Sequence, residues 1–465
     1  MARVTPASAL RRRTLLLLGT AALALAYLAA HHVLAAGRLP DGDAPPLATV
    51  YALAFGWFLL RTVLAYLERP YRATPAQQAA LDRAHLAALV PVYNEDPGWL
   101  RRCLDSLLRQ TRPPDSIHVV DDGSTVDYTA ERDRFRAACA AAGIRATWQR
   151  TPNRGKRAAQ SAASEQAPEA DYFLTLDSDA DLDPAALHEL LQPFADARTQ
   201  SVAGVVLAAN ARTNTLTRCT DLYLTTCQLN ERSCQSVLGS VLVNSGALAA
   251  YRAPVLREHR ELYLTETFLG RQVVFSDDSM LTLFAKLRGR TVQQPTAFAL
   301  SAMPETLGHH LRQQLRWMRG SAIRTCWRLR HLPLNGYAFW LQAAHLFLAL
   351  AGAAAFLWLC LARPLTLGPA SPWHLLAVPV ALSYVECLRY LTVRRHDHTP
   401  RQQLATFALA PLTMLWVLVV LRALRWYGAA TCARTGWGTR GRVELHTAPS
   451  PPAGERHSPE HPLPG

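Results

Sequence analysis

Charge is missing from long stretches at both ends of this 465-residue sequence. A run of about 20 apolar residues is enough to span a bilayer, so a single soluble core is excluded. No CxxC pair occurs among the nine cysteines, an odd number. Without that spacing a zinc or redox site has no framework. Cys103, Cys139, Cys360 and Cys387 sit in apolar or helical surroundings and read as reduced packing residues. The soluble part is therefore expected to face the cytosol. Internal repeats and basic repeats are also absent, although the formal net charge is +14. The cations Arg11, Arg12, Arg13, Arg69, Arg72, Arg394, Arg395 and Arg401 flank the apolar runs. They read as the positive cytosolic flanks of membrane segments, not as a nucleic-acid surface.

What is present is a soluble segment between membrane segments. Thr14 to Ala36 and Leu47 to Leu67 are two expected spans, with Arg61 snorkelling near the end of the second. The first is too long for a secretory signal. His85 to Ala302 alternates strand and helix patterns. Strands are expected at Leu86–Val92, Ile117–Val120, Ala146–Gln149 and Tyr172–Leu176. Helices are expected over Pro97–Gln110, up to about Ala142, and from Pro184. This alternation implies a mostly parallel sheet, whose ligands bind at the strand carboxyl ends. Pro304 to Arg330 reads as a basic, Trp-containing helix lying in the membrane interface. Apolar runs return at Gly336–Ala362, Trp373–Leu391 and Leu404–Leu421. The Pro-rich tail from about Thr447 reads as disordered.

Candidate chemistry lies at the strand ends. Asp177-Ser178-Asp179 follows a strand, where two carboxylates can hold a hard cation that neutralises a leaving diphosphate. A solvated capping turn is the plain alternative. A calcium loop through Asp177, Asp179 and Asp181 fails, because Leu182 and His188 occupy its glycine and glutamate positions. Asp121-Asp122-Gly123-Ser124 ends another strand and is either a donor set for a base or ribose or a plain turn. Tyr93-Asn94-Glu95 ends the first strand, where a nucleotide would dock. Lys156 and Arg157 follow Gly155 and suit phosphate, or form a solvated basic turn. Ser276-Asp277-Asp278 opens a helix and offers a base, Asp278 first, or a helix cap. Gln313, Arg316 and Trp317 suit a diphosphate and a sugar face, or anchor a helix in the membrane.

In this order the motifs resemble those of the processive family-2 glycosyltransferases, which include cellulose, chitin and hyaluronan synthases. The stretches Asn214–Asp221, Asn244–Arg252, Tyr263–Gly270, Gly289–Ala297 and Gly436–Arg442 look most like hyaluronan synthases. The pattern departs at Ser276, at Asn244-Ser245 and at Ala247. The resemblance implies a GT-A-like α/β cytosolic domain on an α-helical transmembrane bundle. It implies that Asp121 and Asp122 hold uridine, that Lys156 and Arg157 contact the diphosphate, and that Asp177 supports the donor. Asp179 would bind Mg²⁺ or Mn²⁺, and Asp278, with Asp277 beside it, would be the base. Gln313, Arg316 and Trp317 would grip diphosphate and acceptor sugar, with Ser245 on the acceptor side. Trp437 and Arg440 would close over the occupied site.

The expected partition is a membrane anchor over 1–70, a GT-A-like domain over 71–303 and interfacial helices over 304–335. Membrane or re-entrant helices over 336–430, a gating segment over 431–446 and a disordered tail over 447–465 complete it. One apolar run is expected to be re-entrant or interfacial, since five full spans would leave Trp437 outside. The expected reaction is β-linked polymerisation at the cytosolic face of the cell membrane. UDP-GlcA and UDP-GlcNAc are the expected donors of hyaluronan, and the growing polysaccharide and the lipid bilayer the expected partners. A chitin-type homopolymer synthase using UDP-GlcNAc, or a non-processive membrane glycosyltransferase, is the alternative.

Overall fold

The computed structural model describes residues 4–6, 44–366 and 373–436. The expected span Thr14–Ala36, the candidates Trp437 and Arg440, and the tail from Thr447 lie outside the described residues. The strands in chain order are β1 (Val4–Pro6), β2 (Leu86–Val92), β3 (Ser116–Asp121) and β4 (Arg145–Arg150). Then come β5 (Tyr172–Thr175), β6 (Ala180–Leu182), β7 (Thr199–Ala208) and β8 (Ala249–Arg252). The last are β9 (Thr267–Phe268), β10 (Arg271–Gln272), β11 (Arg290–Ser301) and β12 (Val393–Arg395).

Eight strands form one sheet in the order β4-β3-β2-β5-β8-β7-β11-β6. The β4-β3-β2-β5 part is parallel, as expected. The other half is mixed. β8 runs antiparallel to both β5 and β7, and β6 antiparallel to β11. The sheet is thus less parallel than the strand–helix alternation implies: β6 follows β5 after a short turn with no helix between them, and β8, although helices precede it, enters antiparallel to both its neighbours.

Helices cover both faces, which is why the central strands are apolar throughout rather than alternating. Along β2, Leu86, Ala88, Val90 and Val92 face one core. Ala87 and Leu89 face the other. Burying each such large side chain contributes about 1.5–3 kcal/mol. The helix Pro97–Leu108 starts at Asp96, whose carboxylate accepts from the Gly98 and Trp99 amides, with Pro97 in its first turn.

Apolar helices surround this unit. A helix, Ala44–Leu67, covers the range of the expected second span. Its Arg61 does not snorkel outward. It pairs with Glu231 at 3.3 Å and with Glu386. His345 adds a contact to Glu231 at 2.9 Å, tying three helices to the α/β unit. Tyr337–Ala362 is a helix of 26 residues with mean hydropathy 2.1, long and apolar enough to cross a membrane. It leaves Trp340, Phe347 and Leu350 exposed. Ala410–Ala430, with 21 residues and mean hydropathy 1.3, passes the same test. Yet both its ends rest on the α/β side. Ala410 packs with Leu222, Cys387 and Tyr390. Gly428 lies so close to Met318 that a Cβ there would come within 2.8 Å. Arg271 then donates to the Ala433 carbonyl at 3.3 Å.

Candidate active site

Three loops at the carboxyl ends of β2, β3 and β5 are knitted together. Asn94 adopts a left-handed φ of 47°, and its side-chain oxygen accepts from the Thr125 amide at 2.8 Å. The Ser178 hydroxyl donates to Glu95 at 3.0 Å, joining the β2 and β5 loops. Asp121 accepts from the Ser124 amide at 2.9 Å and lies 3.6 Å from Arg150. Asp122 accepts from the Arg154 and Gly155 amides at 2.9 and 2.8 Å. It thereby fixes the basic turn that starts the helix Lys156–Glu165. Burial raises the Asp122 carboxyl, and those two amides oppose the rise. Gly123, at φ 76°, is needed here, since a Cβ would fall 2.8 Å from the Asn153 amide nitrogen.

These loops open into a cavity of about 1630 Å³. Tyr93, Asp122, Lys156, Asp177, Asp179, Ser245, Asp277, Asp278, Gln313, Arg316 and Trp317 all line it. Thus residues scattered over more than two hundred positions of sequence meet around one space, with the strand-end loops forming one wall. Asn94, Glu95 and Asp121 stand behind that wall and support the loops. Arg157, expected at the diphosphate, is buried away from the cavity. Its guanidinium donates to the Phe275 and Tyr263 carbonyls at 2.7 and 3.1 Å. Lys156 faces the cavity, whereas the Arg157 side chain turns to the Phe275 and Tyr263 carbonyls.

Lys156 bridges the two acidic motifs. Its ammonium lies 2.7 Å from Asp177 and 2.8 Å from Asp277. Burial alone would lower its pKa, but the two carboxylates hold it well above the ordinary lysine value. Asp277 is correspondingly held low: burial pushes it up, and Lys156 outweighs that. Among the described residues no such cation is bonded to Asp278. Burial, reinforced by the neighbouring Asp277 charge, pushes it up to about 6. The two adjacent carboxylates are thereby separated into an ionised partner of Lys156 and a group able to exchange a proton near neutrality. Gly246 closes this cluster, with room for a Cβ only 3.1 Å from the Lys156 ammonium.

The fit to a divalent cation rests on Asp179. Its carboxylate borders the cavity, with the Ser301 hydroxyl donating to it at 3.4 Å. Among the described residues no group of three His, Cys, Asp or Glu is arranged to hold a metal. One or two carboxylates plus substrate phosphate oxygens are a common set for Mg²⁺, and that set fits here.

The opposite wall is the helix Leu307–His331. Trp317 projects from it, 41% exposed, and Arg316 lies beside it. Gln313 Oε1 and both amide atoms of Gln314 are buried with no hydrogen-bond partner among the described residues. Buried amides normally find a partner, so a polar ligand is the natural one here. Sequence reasoning missed Gln314, and also Arg232, which donates to Ser245 at 2.8 Å. Neither lies in a short acidic or glycine-rich motif; only the folded helices bring them to the cavity.

Residues 87–260 match the family model described as glycosyl transferase family 2. The chain is 32% identical over 400 residues to a hyaluronan synthase of Streptococcus pyogenes, covering 84% of this chain and 90% of that protein. It is 30% identical over 411 residues to an N-acetylglucosaminyltransferase of Rhizobium leguminosarum bv. viciae, covering 86% and 90% respectively. A mannosyltransferase from Pyrobaculum calidifontis, solved with GDP-Man and Mn²⁺, superposes with a TM-score of 0.50 at 22% identity. That match covers 79% of this chain and 98% of the other, and it is a likeness of fold.

Proposed function

Because this chain belongs to glycosyl transferase family 2 and is a glycosyltransferase, we propose that it is a membrane-integrated, inverting, processive enzyme that makes hyaluronan from UDP-GlcA and UDP-GlcNAc. One observation carries the reading. A single cavity joins the strand-end carboxylates and Lys156 to Asp278 and Trp317, then continues between the apolar helices to His345, Leu346 and Ala349. A donor site and a path for a growing chain are thus one continuous space.

In this mechanism the nucleotide docks against Tyr93 and Asp122. Lys156 and Arg316 face the diphosphate, with Asp177 supporting the donor. Trp317 presents its ring to the acceptor sugar, and Ser245 sits on the acceptor side. Asp278 takes the proton from the acceptor hydroxyl as that oxygen bonds to the anomeric carbon. The bond from that carbon to the diphosphate breaks, UDP departs, and configuration inverts to give a β-linkage. A divalent cation, Mg²⁺ or Mn²⁺, held by Asp179 would supply charge neutralisation for the departing diphosphate. Trp437 and Arg440 are assigned to closure over the nucleotide on the family resemblance.

The membrane arrangement follows the same reading. The helices Ala44–Leu67 and Tyr337–Ala362, and the apolar run from Trp373 that continues through Leu388–Thr392, cross the bilayer. Ala410–Ala430 lies along the interface, because both its ends rest on the catalytic side.

A GlcNAc homopolymer is the second reading, supported by the likeness to the rhizobial N-acetylglucosaminyltransferase over nearly the same span. Supplying purified protein with labelled UDP-GlcA and UDP-GlcNAc, singly and together, tests the two. Hyaluronan synthesis predicts a long, hyaluronidase-sensitive polymer only with both donors. A long polymer from UDP-GlcNAc alone establishes the second reading instead.

A further inference from the structure

At the edge of the cavity, reached through Arg324, lies a buried charge triad that no motif groups together. Glu266 takes Arg157 at 2.8 Å on one side and Arg324 at 3.0 and 3.1 Å on the other. Arg157 is 5% exposed, Glu266 1% and Arg324 0%. Arg157 belongs to the donor-side helix, one residue from Lys156. Arg324 belongs to the helix that carries Gln313, Arg316 and Trp317. Glu266 therefore links the donor and acceptor walls.

Between those walls sits the turn that delivers Asp277 and Asp278. Arg157 donates to the Phe275 carbonyl at 2.7 Å. Ser276 follows in a left-handed conformation, φ 63°, which residues with a Cβ rarely adopt. From the other side, Gly320 lies so close that a Cβ would fall 2.8 Å from the Ser276 hydroxyl. Phe275 packs with Ile323 of the same acceptor helix. The unusual backbone is thus held by a guanidinium on one face and by the acceptor helix on the other.

We propose that the Arg157–Glu266–Arg324 triad positions the Phe275–Ser276–Asp277 turn, and with it Asp278, against the acceptor helix. The three are positioning residues for transfer, and Arg157 is not a donor ligand. This rests on the reading of Asp278 as the base. Stability gives a poor reason for the triad: two guanidinium groups share one carboxylate, and apolar replacements of buried triads are often equally or more stable. Geometry gives a better one, since a displacement of about 1 Å at a reacting group can cost on the order of 10²-fold in rate.

The test measures kcat for UDP release and equilibrium UDP affinity on full-length protein. Arg157→Lys keeps the charge, but its single ammonium cannot reproduce the forked contacts to Phe275 and Glu266. It should lose about 10²-fold in kcat while UDP affinity stays within about twofold. Glu266→Gln should show the same split. The combined variant Arg157→Met, Glu266→Leu, Arg324→Met should melt no lower than wild type and still be slow. Weakened UDP binding with kcat retained in Arg157→Lys would restore Arg157 to the diphosphate and overturn the proposal. Wild-type kcat in Glu266→Gln or in the combined variant would also overturn it. Wild-type protein that releases no UDP from any sugar donor would sink the glycosyl-transfer reading itself, a result distinct from failure of the triad.

Discussion

The two halves of the cavity are built by different means. On the donor side, short loops at the ends of parallel strands hold the side chains, through bonds such as Asn94 to Thr125 and Asp122 to Gly155. On the acceptor side, one 25-residue helix carries the contacts. Its place is set by packing against Gly428 and Ser276 and by buried ions. In the proposed reading donor recognition is therefore local and turn-based, whereas acceptor placement depends on distant elements. Variants on the two sides should fail in different ways.

The largest expected effect lies where the halves meet. Asp278→Asn should lower kcat by about 10²–10⁴-fold, the usual cost of losing a general base. Its UDP affinity should stay at the wild-type level by equilibrium titration, because the donor loops do not contain Asp278. Next, Asp179→Asn should lose about 10²–10³-fold in turnover, as expected for removing a charge-stabilising group. Its residual rate should no longer respond to added Mg²⁺ or Mn²⁺, and thermal unfolding should be unchanged. Trp317→Ala should act mainly through the acceptor, raising the concentration needed for half-maximal extension by about tenfold with the UDP site intact. That follows from a stacking contribution of about 1–3 kcal/mol. The smallest effect on turnover is expected from a purely mechanical change, which is read in stability instead. Gly428→Ala forces a methyl against Met318 and should destabilise by about 1–3 kcal/mol, read as a lower melting temperature.

The same contrast decides how much was legible in the sequence. The strands of the donor half announce themselves as apolar runs ending in Asp or Asn turns, and β2 falls at Leu86–Val92, as the pattern predicts. β7 was missed, although Thr199–Ala208 is nearly continuous in apolar residues, because such a run also fits a buried helix. β8 is four residues long and antiparallel, so neither its length nor its neighbours signalled it. In the site, Lys156 was legible as a cation after glycine. Its bridge between Asp177 and Asp277 was not, since the contact to Asp277 closes over more than a hundred residues. Arg157 misled for a simple reason: adjacent in sequence to a cavity residue, it turns instead to the Tyr263 and Phe275 carbonyls. The triad with Glu266 and Arg324 has no local pattern at all.

The separation of the two adjacent carboxylates is the centre of the account, and the pH dependence of kcat at saturating donor tests it most directly. Asp278 must be ionised to accept a proton, and burial beside Asp277 pushes its pKa up to about 6. The rate should therefore rise with pH and level off above an apparent pKa near that value, and Asp278→Asn should abolish the limb. A rate that is flat between about pH 5 and 8, or a limb that survives in Asp278→Asn, would contradict the assignment of the base.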